Sequence, residues 1–234
     1  MNDIIIILTG TIKPNAIFTE FNDIEKRRKD YLKALKYYTK YAPVVFLENS
    51  EYDLLNDKEF SIIDNLTIYK MNPSKYYLKG KGFQEFEMFD AYIAQHLNMS
   101  KFFIKITGRY IIENFEKILK ECVYTGFDMI IDISKKRYWA DTYLFFMKTN
   151  TYIKYFFNCY KEADDSKGIY IEHVFFKYIM KYNIKYRIFF NEYNILAVSG
   201  STGKKYIMKS KIKILRRSIR RRYRFYLLKR NYLK

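Results

Sequence analysis

The stretch Lys101-Phe-Phe-Ile-Lys-Ile-Thr-Gly-Arg-Tyr110 decides the fold. An apolar, β-favouring run breaks abruptly into threonine, glycine and arginine. A short apolar run bounded by turn residues predicts a buried strand, and this one delivers Thr107, Gly108 and Arg109 to one end of a sheet. Glycine permits close backbone approach and a guanidinium offers a fixed cation, so this strand end suits a ligand carrying phosphate.

Working outward from that strand, the same grammar repeats. Residues 3–9 form an apolar run ending in Thr9-Gly10, with Pro14 soon after. Residues 42–47 form a second run that stops at Glu48-Asn49-Ser50, and residues 66–71 a third. Between them Ile24, Arg28, Tyr31, Leu35 and Tyr38 recur at helical spacing, as do Phe86, Phe89, Ile93 and Leu97. A helix over 114–122 and a strand over 127–133, flanked by Asp128 and Asp132, continue the alternation. The expected fold class is therefore α/β, with a mostly parallel central sheet flanked by helices. In such sheets ligands bind outside the carboxyl ends of the strands, so Thr9, Gly10, Glu48, Asn49, Ser50, Thr107, Gly108 and Arg109 should converge on one edge. Further on, strands are expected over 143–147 and 184–190, with helices over 150–160 and 171–181.

Composition narrows the function classes. The chain has 234 residues, enough for a substantial core, and a net charge of +18. Fourteen of its 43 Lys and Arg lie in residues 204–234, where no acid occurs, so residues 1–203 carry only +4. The excess belongs to a tail. Cys122 and Cys159 have neither CxxC spacing nor clustered histidines, which argues against zinc and against a disulfide framework. The first residues lack a signal peptide's cations, and no stretch approaches the roughly 20 apolar residues that cross a bilayer. A cytoplasmic protein is expected.

The candidates for acid–base chemistry are Asp132, Asp141, Asp164, Asp165 and Glu172. Glu172 stands out because it opens a helix whose apolar body would hold it firmly, although acids also favour first turns for the helix dipole. His96 and His173 are isolated. Ser199-Gly-Ser-Thr-Gly-Lys204 is an amide-rich loop suited to closing over a diphosphate, but it lacks P-loop spacing, so ATP hydrolysis is not expected. In the tail, Met208, Ile212, Leu215, Ile219, Tyr223 and Tyr226 recur at three and four amid Lys and Arg, which predicts a basic amphipathic helix. An anionic membrane surface is its expected partner, because simple packing on the body would leave so many cations uncompensated. Arginine-rich helices also bind RNA, so the alternative is a non-enzymatic nucleic-acid-binding α/β protein with a C-terminal arm.

The motifs Leu8-Thr-Gly-Thr-Ile12, Arg28-x-x-Tyr31, Phe46-Leu-Glu-Asn-Ser50, Lys81-Gly-x-x-Glu85, Lys105-Ile-Thr-Gly-Arg-Tyr110 and Ser199-Gly-Ser-Thr-Gly-Lys-x-Tyr206 occur in this order. Over residues 3–206 the chain resembles a family of bacterial glycosyltransferases from lipopolysaccharide O-antigen and capsule gene clusters. The resemblance implies a GT-A-like catalytic domain over 1–203, and the basic amphipathic helix expected over 204–234 follows it as a membrane-surface segment. It also implies a nucleotide-sugar donor such as a UDP-sugar, a lipid-linked saccharide acceptor, and a peripheral location on the inner face of the cytoplasmic membrane. On this sequence Thr9, Gly10, Glu48, Asn49 and Ser50 would approach the nucleotide, and Lys105, Thr107, Gly108 and Arg109 would sit near the diphosphate. Arg28, Lys81, Gly82, Glu85, Ser201 and Lys204 would complete the substrate site, with Glu172 as the acceptor base. GT-A enzymes usually end the fourth strand with Asp-x-Asp to hold Mn2+ or Mg2+, where this chain has Thr107-Gly108-Arg109. No cofactor is therefore expected, with a metal on Asp132 as the fallback.

Overall fold

The computed structural model describes residues 4–15, 19–96, 100–123, 125–198, 203–206 and 209–232. Along the chain, β1 (Ile4–Gly10), α1 (Ile24–Tyr38), β2 (Val44–Glu48), α2 (Lys58–Ser61) and β3 (Leu66–Lys70) come first. They are followed by α3 (Lys81–Gln95), β4 (Phe102–Thr107), β5 (Ile111–Ile112), α4 (Phe115–Val123) and β6 (Met129–Ser134). The last elements are β7 (Trp139–Lys148), α5 (Thr149–Tyr155), α6 (Ile171–Lys181), β8 (Tyr186–Arg187), β9 (Ile195–Leu196) and α7 (Lys211–Tyr232). Side-chain caps start three of the described helices: Asp23 accepts from the Lys26 amide at 3.0 Å before α1, Asp57 from the Glu59 amide at 3.1 Å before α2, and Ser210 from the Lys213 amide at 3.3 Å before α7.

Seven strands form one sheet in the order β3-β2-β1-β4-β7-β6-β8. β1 runs parallel to both β2 and β4, and β3 runs parallel to β2. β7 is the antiparallel member, inserted between β4 and β6. The expected strand at 143–147 thus exists, but it is longer and reversed, because a near-immediate turn from β6 can only return antiparallel. The strand expected over 184–190 shrinks to two paired residues, and the helix expected over 150–160 ends at Tyr155. β5 and β9 make a separate two-stranded ladder.

Alternate strand residues feed two cores. Ile6, Leu8, Phe46 and Ile106 pack under α1 and α4, whereas Ile7, Val45, Leu47 and Phe103 pack under α3, α5 and α6. Both faces of the central strands are therefore dry, which is why they read as continuous apolar runs. On the second face Phe86, Phe145, Phe156 and Phe175 pack ring against ring, with Phe86 and Phe175 centroids 4.8 Å apart. The rings fix α3 and α6 side by side over the carboxyl end of β4.

The tail departs from the expectation of uncompensated charge. Arg221 bonds Asp132 at 2.7 and 2.8 Å and Glu192 at 2.6 Å, while Lys209 and Arg217 reach Glu192 at 2.5 and 3.0 Å. Phe225 packs on Phe127 and Phe190. α7 therefore docks on the body through one face. Its other apolar stripe, Ile212, Leu215, Ile219, Tyr223 and Tyr226, is exposed throughout, and Lys211, Lys213, Arg216 and Arg220 are exposed beside it. Residues 205 and 206 still belong to the body, since Lys205 bridges Val198 and the Tyr206 amide donates to the Ala197 carbonyl at 3.1 Å. No described helix is long and apolar enough to cross a membrane.

Candidate functional site

Side chains at the carboxyl ends of β1 and β4 meet α3 and α6 in a buried polar cluster. The Thr9 hydroxyl donates to Glu85, and Thr107 donates to the same carboxylate at 3.5 Å. Lys105 is wholly buried; its ammonium meets Glu85 at 2.6 Å, the Thr142 carbonyl at 2.8 Å and the Thr107 hydroxyl at 3.3 Å. With its three N–H groups engaged, Lys105 fixes Glu85. It does not face the open end of the site where a leaving diphosphate was expected. The Thr142 hydroxyl in turn donates to Glu172 at 2.8 Å. Thr142 is a member of the cluster that the sequence did not single out; its only signal is tertiary, the reversal of β7 beside β4.

Glu172 is the least compensated member of this cluster. Burial pushes its carboxyl up to about 7, opposed by the Thr142 hydrogen bond; the Glu85 charge pushes the same way as burial and Lys105 opposes it. A carboxylate balanced near neutrality is suited to taking a proton from a substrate hydroxyl. Gly82 brings the two helix starts together: a Cβ there would lie 2.7 Å from Ile171 Cγ2, so only glycine lets α3 approach α6 this closely. Gly80, just before α3, has φ +92° and lies against the Asp165 side chain, where an added Cβ would stand 2.0 Å from its Oδ2. Asp165 accepts from the Lys81 amide at 3.2 Å. Burial draws the Lys81 ammonium below its ordinary value; Asp165 and Glu172 oppose that, and the Arg27 and Arg109 charges reinforce it. Lys81 is thus the cation that links the Glu172 side of the site to Arg27 and Arg109.

On the opposite face of the sheet, Glu48, Asn49 and Ser50 are spent on structure. Glu48 is fully buried and accepts from the Ile12 and Ser50 amides, at 2.9 and 3.1 Å, and pairs with Lys70 at 3.1 Å. Ser50 Oγ accepts from the Lys13 amide at 3.1 Å, and Asn49 Oδ1 accepts from the Thr11 hydroxyl at 2.7 Å. Together they latch the loop after β1, so what they position is its backbone. Arg27 completes the latch by donating to the Thr11, Ile12 and Phe21 carbonyls. The neighbouring Arg28, expected in the substrate site, instead pairs with Asp57 at 2.6 Å and Glu59 at 2.8 Å and stays out of the cluster. Gly10 and Gly108 also serve packing: a Cβ at 10 would meet Phe46 and Tyr31, and one at 108 would lie 2.7 Å from the Thr9 carbonyl oxygen.

Arg109 is buried, donates to the Val198 carbonyl at 3.0 Å and stacks over Phe21 with its carbon 5.0 Å from the ring centroid. Its Nε has no partner among the described residues. It lines a cavity of about 210 Å³ with Asp30, Lys33, Lys205 and Tyr206. Lys204 is exposed at the end of the small-residue loop, and Ser201 lies outside the described residues. Asp132 does not join the cluster: Arg221 holds both its oxygens, with Tyr193 donating at 3.1 Å. A divalent ion does not fit the end of β4, where Arg109 replaces an acid and the neighbouring Glu85 is neutralised by Lys105. Among the described residues no three His, Cys, Asp or Glu are grouped to hold a metal.

Comparison with solved structures agrees with this architecture. The chain is similar to a protein of Desulfovibrio desulfuricans described as a nucleotide-diphospho-sugar transferase, at TM-score 0.50 and 11% identity over 81% of this chain and 80% of the other. The fold is GT-A-like. Two more distant similarities are to a cytidylyltransferase of Leptospira borgpetersenii (TM-score 0.47, 12% identity, 92% and 84% covered) and to HddC of Yersinia pseudotuberculosis (TM-score 0.43, 11% identity, 85% and 94% covered). No family model matches the sequence, and no curated protein matches it either.

Proposed function

We propose that the protein is a glycosyltransferase that moves a sugar from a nucleotide-sugar donor, a UDP-sugar by preference, to a lipid-linked saccharide in surface polysaccharide synthesis. The observation that carries this reading is Glu172, pushed up to about 7 beside the carboxyl ends of β1 and β4 and held by Thr142. The motif resemblance supports the pathway, and the GT-A-like fold supports the donor class. In the reaction Glu172 takes the proton from an acceptor hydroxyl while that oxygen bonds to the anomeric carbon. The bond from that carbon to the diphosphate breaks in a single inverting displacement, and its electron pair leaves on the nucleoside diphosphate. Lys81 and Arg109 supply positive charge toward that leaving group.

The exposed stripe of α7, rimmed by Lys and Arg, supports peripheral docking on an anionic membrane at the inner face of the cytoplasmic membrane, where lipid-linked acceptors lie. The test is a panel of nucleotide sugars with release of nucleoside diphosphate as the readout. Turnover of one donor is expected, and Glu172→Gln should keep donor affinity but lose transfer by about 10²- to 10⁴-fold, the range for removing a general base. Failure to bind any donor, with salt-sensitive retention of RNA instead, would favour the nucleic-acid reading.

A further inference from the structure

Beside Glu172 lies a group of aromatic rings with no role in the cluster just described. Tyr170 and His173 flank Glu172 in sequence at the start of α6, and both face Trp139 at the start of β7, with ring centroids 6.0 and 5.1 Å from the indole. The Trp139 Nε1–H is fixed by Asp141 at 2.9 Å, which sets the indole plane. Tyr138 packs edge-on against Phe176, one helical turn further along α6, at 5.7 Å. Phe176 belongs to the core, but Tyr170 is 42% exposed and Tyr138 is 69% exposed.

Tyr138 is also held in a conformation that tyrosine rarely adopts. Its φ of 52° and ψ of 47° lie in the left-handed region, where a Cβ crowds the backbone. This residue closes the turn from β6 into β7, its amide donating to the Lys135 carbonyl at 3.2 Å, and the turn holds the exposed ring against Phe176. Strain kept at an exposed ring points to use. Tyr170 stands beside Trp139, and Tyr138, its chain neighbour, carries an exposed ring; such rings offer flat apolar faces with polar edges, the surface on which the C–H face of a pyranose ring lies while its hydroxyls stay free to hydrogen-bond.

We infer that Tyr138, Trp139 and Tyr170 form the subsite that binds the acceptor saccharide and brings its hydroxyl to Glu172. This rests on the transferase reading, and it assigns the acceptor to the α6–β7 side, away from the cations near Arg109. The occupant is a sugar ring because a lipid tail would seek the apolar stripe of α7, and a nucleotide would seek the cations.

Trp139 is the sole tryptophan of the chain, so its emission reads occupation of the shelf directly. The experiment titrates the full-length protein with short oligosaccharides and methyl glycosides, without donor. Saturable change in emission is expected with at least one of them, and Tyr170→Ala and Tyr138→Ala should each weaken the half-saturation point about tenfold. In the coupled assay the same variants should raise the acceptor KM about tenfold more than the donor KM. If no saccharide moves the emission, or if both variants titrate like the parent, the shelf is not an acceptor site, whatever the donor assay shows. If saccharides bind as expected and no donor is turned over, the transferase reading fails and the saccharide site stands.

Discussion

Glu172 and Glu192 are both carboxylates withdrawn from bulk water, and their neighbours drive them in opposite directions. At Glu172 burial prevails, because its nearest partner is a neutral threonine hydroxyl and Lys105 is committed to Glu85. At Glu192 burial is outweighed by Lys209, Arg221 and Arg217, which together hold the carboxyl below its ordinary value. The fold spends cations generously on the joint that fixes α7 and withholds one from the residue beside the sheet's carboxyl edge. What surrounds a buried acid, more than its burial, separates an anchor from a base.

The contrast has an energetic consequence. Glu192→Gln leaves three converging cations short of their counter-charge; since those cations are partly solvated, the loss should be about 2–3 kcal/mol, below the range for a fully buried pair. Chemical denaturation would measure it, and proteolysis within 203–211 should become faster as α7 detaches. Unchanged stability and unchanged cleavage would mean that α7 is not held by this joint. The pH dependence has matching signs. Glu192 is depressed in the fold, so its stabilisation is present above the ordinary glutamate value of 4.5 and fades as pH falls through its folded value. Glu172 is raised, so its favourable contribution is complete below 4.5 and is lost as pH rises toward 7.

Much of this fold was legible in the sequence because the central strands are dry on both faces and so appear as apolar runs. The end of β4, the start of α6 at Ile171 and the prominence of Glu172 could all be read from spacing alone. Other features depend on contacts that spacing cannot encode. β5 and β9 are two residues each and exist only because they pair with one another. Arg27, and not the expected Arg28, lies with Tyr31, Ala34, Leu35 and Tyr38 on the buried stripe of α1. Glu48-Asn49-Ser50 looked like ligand-binding groups and proved to be a latch, since a strand end cannot announce which loop will return to it. Thr142 was invisible because β7 reverses direction.

Thr142→Val offers a finer test of the same contrast. It keeps the shape of the side chain and the backbone carbonyl that holds Lys105, and removes only the hydroxyl that stabilises ionised Glu172. The pH at which transfer switches on should rise by about one unit, the worth of a hydrogen bond to a charged group. An unmoved profile would show that the Thr142 bond does not set the charge state of Glu172.

The most direct measurement is the pH dependence of kcat/KM for sugar transfer by the unmodified protein. An acid limb of unit slope is expected to bend near pH 7, the value set by burial of Glu172, and to disappear in Glu172→Gln. A bend at the ordinary carboxylate range near 4.5, or the same limb surviving in Glu172→Gln, would contradict it.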